Sequence, residues 1–191
     1  MFLNYASYFG APQSELESIV DFLIAQHMAD GGFNCRLNRS GARHSSLHST
    51  ISVLEGITEY ERRGYGYRVD ELSGIARRCV GFILVHRLFR SDHTGEVIKP
   101  EFLKLPYPWR WKYNILRALD CFAAAGVAWD ARMQDGIEAL MARCRPEGRW
   151  PTNAAHPGAV HVVMDPARQP GRWNTLMALR VLSRYGKHAE G

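Results

Sequence analysis

The sequence has no C-x-x-C pair. Its four cysteines, Cys35, Cys79, Cys121 and Cys144, stand far apart, which removes a zinc ribbon and a thioredoxin-like redox motif from consideration. Cys79 and Cys121 fall on apolar helix faces and read as buried thiols, so cysteine usage points to a reducing compartment. No apolar run reaches the roughly 18 residues of a spanning helix, and the N-terminus lacks the basic region and cleavage site of a secretory signal. The expected location is therefore the cytoplasm, with no transmembrane segment. A large excess of charge of one sign is also missing: the net charge is +5, and the arginines are spread along helices instead of forming one block. That favours a solvated surface over a nucleic-acid groove. What remains, 191 residues with 46% apolar and 23% charged content, is the make-up of an ordinary globular protein.

The chain repeats itself. Gly64, Gly126 and Gly186 lie 62 and 60 residues apart, and counting back from each brings three segments into register without a gap. Ten residues before the glycines are Leu54, Leu116 and Leu176; eight before are Gly56, Ala118 and Ala178. Seven before are Ile57, Leu119 and Leu179, and four before are Tyr60, Phe122 and Leu182. These offsets draw an apolar stripe at helical spacing, with a small residue where a neighbouring helix can approach. Each glycine then stands where a helix ends in a left-handed residue.

A second amphipathic segment precedes each of these. Residues 14–28 carry Leu16, Ile19, Val20 and Leu23, with Ser14 as the expected N-cap and Glu17 completing a capping box. Residues 70–89 carry Leu72, Ile75, Cys79, Phe82 and Ile83, and residues 130–144 carry Met133, Ile137, Leu140 and Met141. Each runs into a glycine-bearing turn: Asp30-Gly31-Gly32-Phe33, then residues 92–97 around Gly95, then Glu147-Gly148-Arg149-Trp150. The repeating unit is helix, glycine turn, loop, helix, glycine, and a period of this size signals an array of similar units. The expected architecture is a single all-α domain of three helix-pair repeats, 11–64, 65–126 and 127–186, with 187–191 as a tail. Residues 1–10 read as the end of a further second helix closing on Gly10, so that the chain either starts inside a longer array or begins with an ordinary cap.

The loops inside the units grow along the chain, from the short 34–43 through the proline-studded 99–108 to the long 151–170. Long loops gathered at one end of a helical array are the usual place for a binding surface.

The turns Asp30-Gly31-Gly32-Phe33 and Glu147-Gly148-Arg149-Trp150, with the helix pairs around them, resemble the repeats of the terpenoid cyclase and protein prenyltransferase superfamily. The run 30–62, the stretch Pro106-Tyr107-Pro108-Trp109-Arg110-Trp111-Lys112 and the stretch 170–185 are similar to little-characterised prokaryotic prenyltransferase-repeat, or squalene-cyclase-like, proteins. The resemblance implies an α/α toroid, which three repeats would build only as a partial or open arc. It also implies an isoprenoid or other lipid-like ligand, one that could carry a diphosphate. The D-x-D-D motif with which class II cyclases protonate an alkene is missing, as is the D-D-x-x-D motif with which class I enzymes hold magnesium. A self-sufficient cyclase is therefore not expected, and whether the chain is an enzyme is left open.

Protein prenyltransferases hold a catalytic zinc with an Asp, a Cys and a His, leaving a position open for a thiolate. The matching residue types here are Asp30, Cys35 and His48, with His44 sharing a face with His48 if the second helix starts early enough. A second candidate metal set is His156, His161 and Asp165. His44, His48 and Asp165 are the candidate catalytic residues. Arg110-Trp111-Lys112 and Arg172-Trp173-Asn174 are expected to open equivalent helices and to form the ligand-binding group, since helix N-termini, arginines and indoles suit an anionic head with an apolar tail. The plainer alternative has each Trp packing between helices and each Arg tying down a loop. A different functional class also fits, a non-catalytic helical-repeat module that binds a protein, or that completes its ring by oligomerising or with a missing half. A carbohydrate-cleaving α/α barrel would need convergent carboxylates, and only Asp30, Asp92, Glu96, Glu147 and Asp165 are on offer.

Overall fold

The amphipathic segments separated by glycine turns fold as helices throughout. The computed structural model describes residues 1–159 and 161–188, and among them there is no β-strand, only isolated bridges such as Pro106–Asn153 and Pro151–Pro170. The helices are α1 (Phe2–Tyr8), α2 (Gln13–Ala25), the short α3 (Leu37–Ser40), α4 (Leu47–Arg62), α5 (Val69–Val85), α6 (Ile115–Ala124), α7 (Gln134–Met141) and α8 (Arg172–Tyr185). Single 3-10 turns cover Pro100–Leu103, Ala131–Met133 and Gly186–His188. Of the tail 187–191, Lys187 and His188 belong to the last of these turns, and 189–191 lie outside the described residues. No described helix is long and apolar enough to cross a membrane.

The chain divides into two compact units, Met1–Ile83 and Leu84–Gly191. In the first, α1 packs along α4, and the core is built from Leu16 and Val20 of α2, Ile51, Leu54, Ile57 and Tyr60 of α4, and Leu72, Ile75 and Cys79 of α5. Gly56 is the small residue that close approach demands, since a Cβ there would lie 3.4 Å from Leu3 Cβ and 3.5 Å from the Asn4 amide of α1. In the second unit α6 packs along α8, burying Leu116, Ala118, Leu119 and Phe122 with Met177, Ala178, Val181 and Tyr185. Cys79 and Cys121 are buried thiols as expected, and burial pushes the Cys79 thiol up to about 12.

Several local expectations need correction. Helix α2 starts at Gln13 behind Pro12, so Ser14 sits inside it and caps nothing. The Gln13 side-chain carbonyl is turned to accept from the amides of Gly66 and Tyr67. The first helices are shorter than their apolar patterns. Helix α5 stops at Val85 because Arg87 and Leu88 take left-handed backbone angles, with the Leu88 carbonyl accepting from the Tyr113 hydroxyl at 2.6 Å. Gly10, Gly64 and Gly126 have positive φ, which only glycine adopts at little cost. Gly186 does not: its φ is −59°, and helix α8 continues into the turn that brings His188 flat against Trp129 at 5.3 Å. The register of α8 is affected as well. Its buried stripe is Asn174, Met177, Ala178, Val181 and Tyr185, while Leu176 and Leu179, expected in the core, face outward.

Candidate functional site

In the first unit the glycine turn is locked to the start of α4. The Gly31 amide donates to the Met28 carbonyl and the Met28 amide to the Gly32 carbonyl, both at 3.0 Å, which leaves Phe33 facing the helix start. The Phe33 amide donates to Thr50 Oγ1 at 3.0 Å, and the Ser46 amide donates to the Phe33 carbonyl at 2.8 Å. The Asp30 carboxylate accepts from the Ser45 amide at 2.7 Å and from the Ser45 hydroxyl at 2.5 Å. Burial by itself would raise the Asp30 pKa, but the Ser45 hydroxyl and amide and the Gly32 amide outweigh it and hold the group below the usual carboxylate range.

These bonds decide the fate of the residues singled out from sequence. Because α4 starts at Leu47, the exposed His44 lies ahead of the helix and does not share a helical face with His48. Asp30 is committed to Ser45, and Cys35 is an exposed thiol whose amide donates to Ser49 Oγ. Among the described residues no group of three or more His, Cys, Asp or Glu side chains is placed to hold a metal ion, so neither Asp30, Cys35 and His48 nor His156, His161 and Asp165 forms one.

The expected ligand-binding residues all lie in the second unit. Helix α8 opens at Arg172 as expected, but Arg110-Trp111-Lys112 lies in a turn ahead of α6, whose N-cap is Asn114 accepting from the Arg117 amide at 2.8 Å. Arg110 reaches this turn with a positive φ, and its guanidinium donates to the Pro157 carbonyl at 2.8 Å, pinning the long loop. Lys112 lies over the Trp111 ring, and its carbonyl accepts from the buried Arg117 at 2.7 Å. The Arg117 guanidinium lies 5.9 Å from the Trp109 ring centre. Tyr107 touches the Trp109 ring edge-on at 6.0 Å and stacks on Trp173 at 5.7 Å, with the planes 17° apart. Three rings from two distant stretches thus form one continuous wall.

Two polar ring atoms have no partner, one in the wall itself and one within reach of the charges of Lys112 and Arg110. Trp109 Nε1 and His156 Nε2 are buried and make no hydrogen bond, and the same holds for Oδ1 of the fully buried Asn174. The Asn174 amide nitrogen is fully used, donating to the carbonyls of Leu105 and Pro151 at 2.8 and 3.2 Å. An orphaned buried donor costs about 1–3 kcal/mol, so such atoms are rare unless something else satisfies them. Burial, then the nearby charges of Lys112 and Arg110, hold the His156 pKa below its ordinary value, which leaves a neutral imidazole at neutral pH. Burial, then Asp165 and Asp120, push the Tyr107 hydroxyl pKa up.

No family model, curated protein or solved structure matches this chain.

Asp165, expected to be catalytic, is a helix cap. Its buried carboxylate accepts from the Trp173 amide at 3.1 Å and from Arg172 Nε at 3.2 Å, supplying the first turn of α8 with an acceptor that the N-cap Gly171 lacks. Gly171 itself has no room for a side chain, since a Cβ would fall 2.2 Å from Thr152 Oγ1. Tyr107, Trp109 and Arg117 were not among the residues chosen from sequence. The signal was their place beside the chosen Arg110, in a stretch with three aromatic residues in five positions.

Proposed function

We propose that the second unit binds an isoprenoid or other lipid-like ligand with an anionic, acceptor-rich head, in keeping with the likeness of the repeats to terpenoid cyclases and protein prenyltransferases. The observation that carries this reading is the pair of unpartnered ring nitrogens, Trp109 Nε1 in a three-ring wall beside Arg117 and His156 Nε2 within reach of the charges of Lys112 and Arg110. An indole N–H can only donate, so what it lacks is an acceptor. Guanidinium and ammonium groups alongside select an acceptor that is charged. The stacked Tyr107 and Trp173 offer an apolar body the matching surface. The proposal is of binding; the aspartates of the known cyclisation motifs have no counterpart here, and no reaction is assigned.

All five tryptophans lie in the second unit, so their fluorescence reports on this site. Titration with farnesyl diphosphate should quench it saturably, with farnesol and inorganic diphosphate each binding more weakly. Trp109→Phe keeps an aromatic ring, though a smaller one, and removes the N–H; it should weaken binding by roughly tenfold, the value of one hydrogen bond to a charged group. Absence of saturable binding by all three compounds defeats the reading.

A further inference from the structure

The long loop of the second unit turns two apolar side chains to the outside. Val162 and Val163 follow one another there and are 72% and 68% exposed. Their stretch is held at both ends by arginines: the Pro157 carbonyl accepts from Arg110 at 2.8 Å, and the Met164 carbonyl accepts from Arg172 at 2.7 Å. Each of these arginines is followed by an indole that is itself open, Trp111 at 53% and Trp173 at 38% exposure. The stacking of Tyr107 on Trp173 brings the stretch 106–112 to the start of α8, so valines, indoles and cations belong to one region of the unit. Residues 106–119 and 151–179, which build this region, hold five basic side chains, Arg110, Lys112, Arg117, Arg168 and Arg172, and a single carboxylate, Asp165. That carboxylate is buried and accepts from the Trp173 amide and from Arg172, whereas Arg168 and Arg172 are exposed. What the region shows to solvent is therefore cationic and apolar together.

We propose that this region docks on an anionic lipid surface, Val162 and Val163 entering the acyl layer while Arg168 and Arg172 meet the lipid phosphates. The placing of the valines selects this occupant over a protein. Side chains of consecutive residues diverge. A groove on a folded partner takes one valine and leaves the other in water, whereas an acyl layer surrounds a loop tip on every side. The valines also select against nucleic acid, whose phosphates suit the arginines but offer the apolar pair nothing. Indoles next to cations are the side chains enriched where headgroups meet acyl chains, because one end of the ring is apolar and the other can stay wet. Apolar burial and attraction to anionic lipid add, so a short tip flanked by arginines gives a reversible, peripheral attachment. The docking goes beyond the ligand reading and does not rest on it, since Val162, Val163 and Arg168 belong to no part of the proposed ligand site.

Co-sedimentation of the full chain with vesicles tests it, using phosphatidylcholine alone and phosphatidylcholine mixed with phosphatidylglycerol. The wild type should pellet with the mixed vesicles, less with phosphatidylcholine alone, and less again as salt is raised. Val162→Ser with Val163→Ser alters only exposed side chains and should weaken binding to the mixed vesicles by roughly tenfold or more. Arg168→Gln should weaken it by roughly fivefold, the worth of one cation near an anionic surface, and leave binding to phosphatidylcholine unchanged. Both variants should keep their helical circular dichroism. Titration with farnesyl diphosphate in the absence of vesicles should give the same curve for the valine variant and the wild type, so loss of docking and loss of the ligand site are read separately. A wild type that stays in the supernatant, one that pellets without vesicles by pairing with its own copies, or one that binds duplex DNA and not vesicles would each overturn the proposal. So would a valine variant that binds the mixed vesicles as well as the wild type does.

Discussion

The junction between glycine turn and second helix is built twice with the same bonds. In the first unit Gly31 donates to Met28, Met28 to Gly32, Phe33 to Thr50 and Ser46 to Phe33; in the second Gly148 donates to Arg145, Arg145 to Arg149, Trp150 to Thr175 and Gly171 to Trp150. Thr50 and Thr175 both stand four residues after their N-caps, Ser46 and Gly171. The two differ in where the carboxylate comes from. In the first unit the turn itself supplies Asp30, which reaches Ser45. In the second the turn residue Glu147 pairs with Arg145, and the helix is capped by Asp165 from the loop. The cause is loop length: the N-cap follows the aromatic residue by thirteen positions in one case and twenty-one in the other. A turn that closes quickly has only its own residues for capping, whereas a long loop can bring a cap from elsewhere.

The largest effect should come from filling the tightest point of each junction. Gly171→Ala places a Cβ 2.2 Å from Thr152 Oγ1 and 3.2 Å from the Trp150 carbonyl, and should cost about 3 kcal/mol, the upper part of the range for overpacking. The midpoint of urea unfolding followed by tryptophan fluorescence reads this directly in the second unit. Adding Thr152→Ala should recover part of the loss, and failure to do so would mean the clash is not what limits this site. Gly32→Ala is the counterpart, with a Cβ 2.6 Å from Thr50 Oγ1 and 2.7 Å from Ser45 Cβ, and is followed by circular dichroism because the first unit has no tryptophan.

Next in size are the threonines. Thr50 is fully buried, so Thr50→Val strands the Phe33 amide and should cost about 2 kcal/mol. Thr175 is only half-buried, water can replace its hydroxyl, and Thr175→Val should cost about 1 kcal/mol. Equal losses at the two positions would show that burial does not set the difference.

The smallest effect is the pH dependence of the first junction. The folded-state pKa of Asp30 lies below its ordinary 3.8, so its contribution is complete above pH 3.8 and is lost as pH falls through the lower folded value. His27, held below 6.5 by its burial and by Arg78, has the same sign at a higher window: its contribution is complete above pH 6.5 and fades as pH falls. Asp30→Asn should flatten the acid limb of a thermal-melting series without altering the His27 limb. An unchanged acid limb in that variant would remove Asp30 as its source.

Much of this was legible in the chain. The helices, the glycine stops at Gly10, Gly64 and Gly126, and the close approach at Gly56 follow from spacing alone, because a helix period and a left-handed stop are local matters. The register of α8 was not legible. Counting back from Gly186 assumes that the glycine ends the helix, and the contact between His188 and Trp129 that lets the turn run on joins residues 59 positions apart. The role of Asp165 was hidden for a similar reason. An acidic residue in a long loop looks catalytic until the N-cap it serves is seen to be a glycine with no room for a side chain.

By itself, then, the sequence determined the elements, their repetition and the set of cations and aromatic residues available to a ligand. These rest on neighbours within a few turns of chain, where periodicity and glycine conformation are sufficient. Only the tertiary structure decided which of those residues meet. Tyr107 stacks on Trp173, Asp165 caps α8, His44 falls outside α4, and Leu176 and Leu179 face outward. Each outcome depends on where two stretches distant in sequence come to rest, which is set by packing and by the satisfaction of buried polar groups.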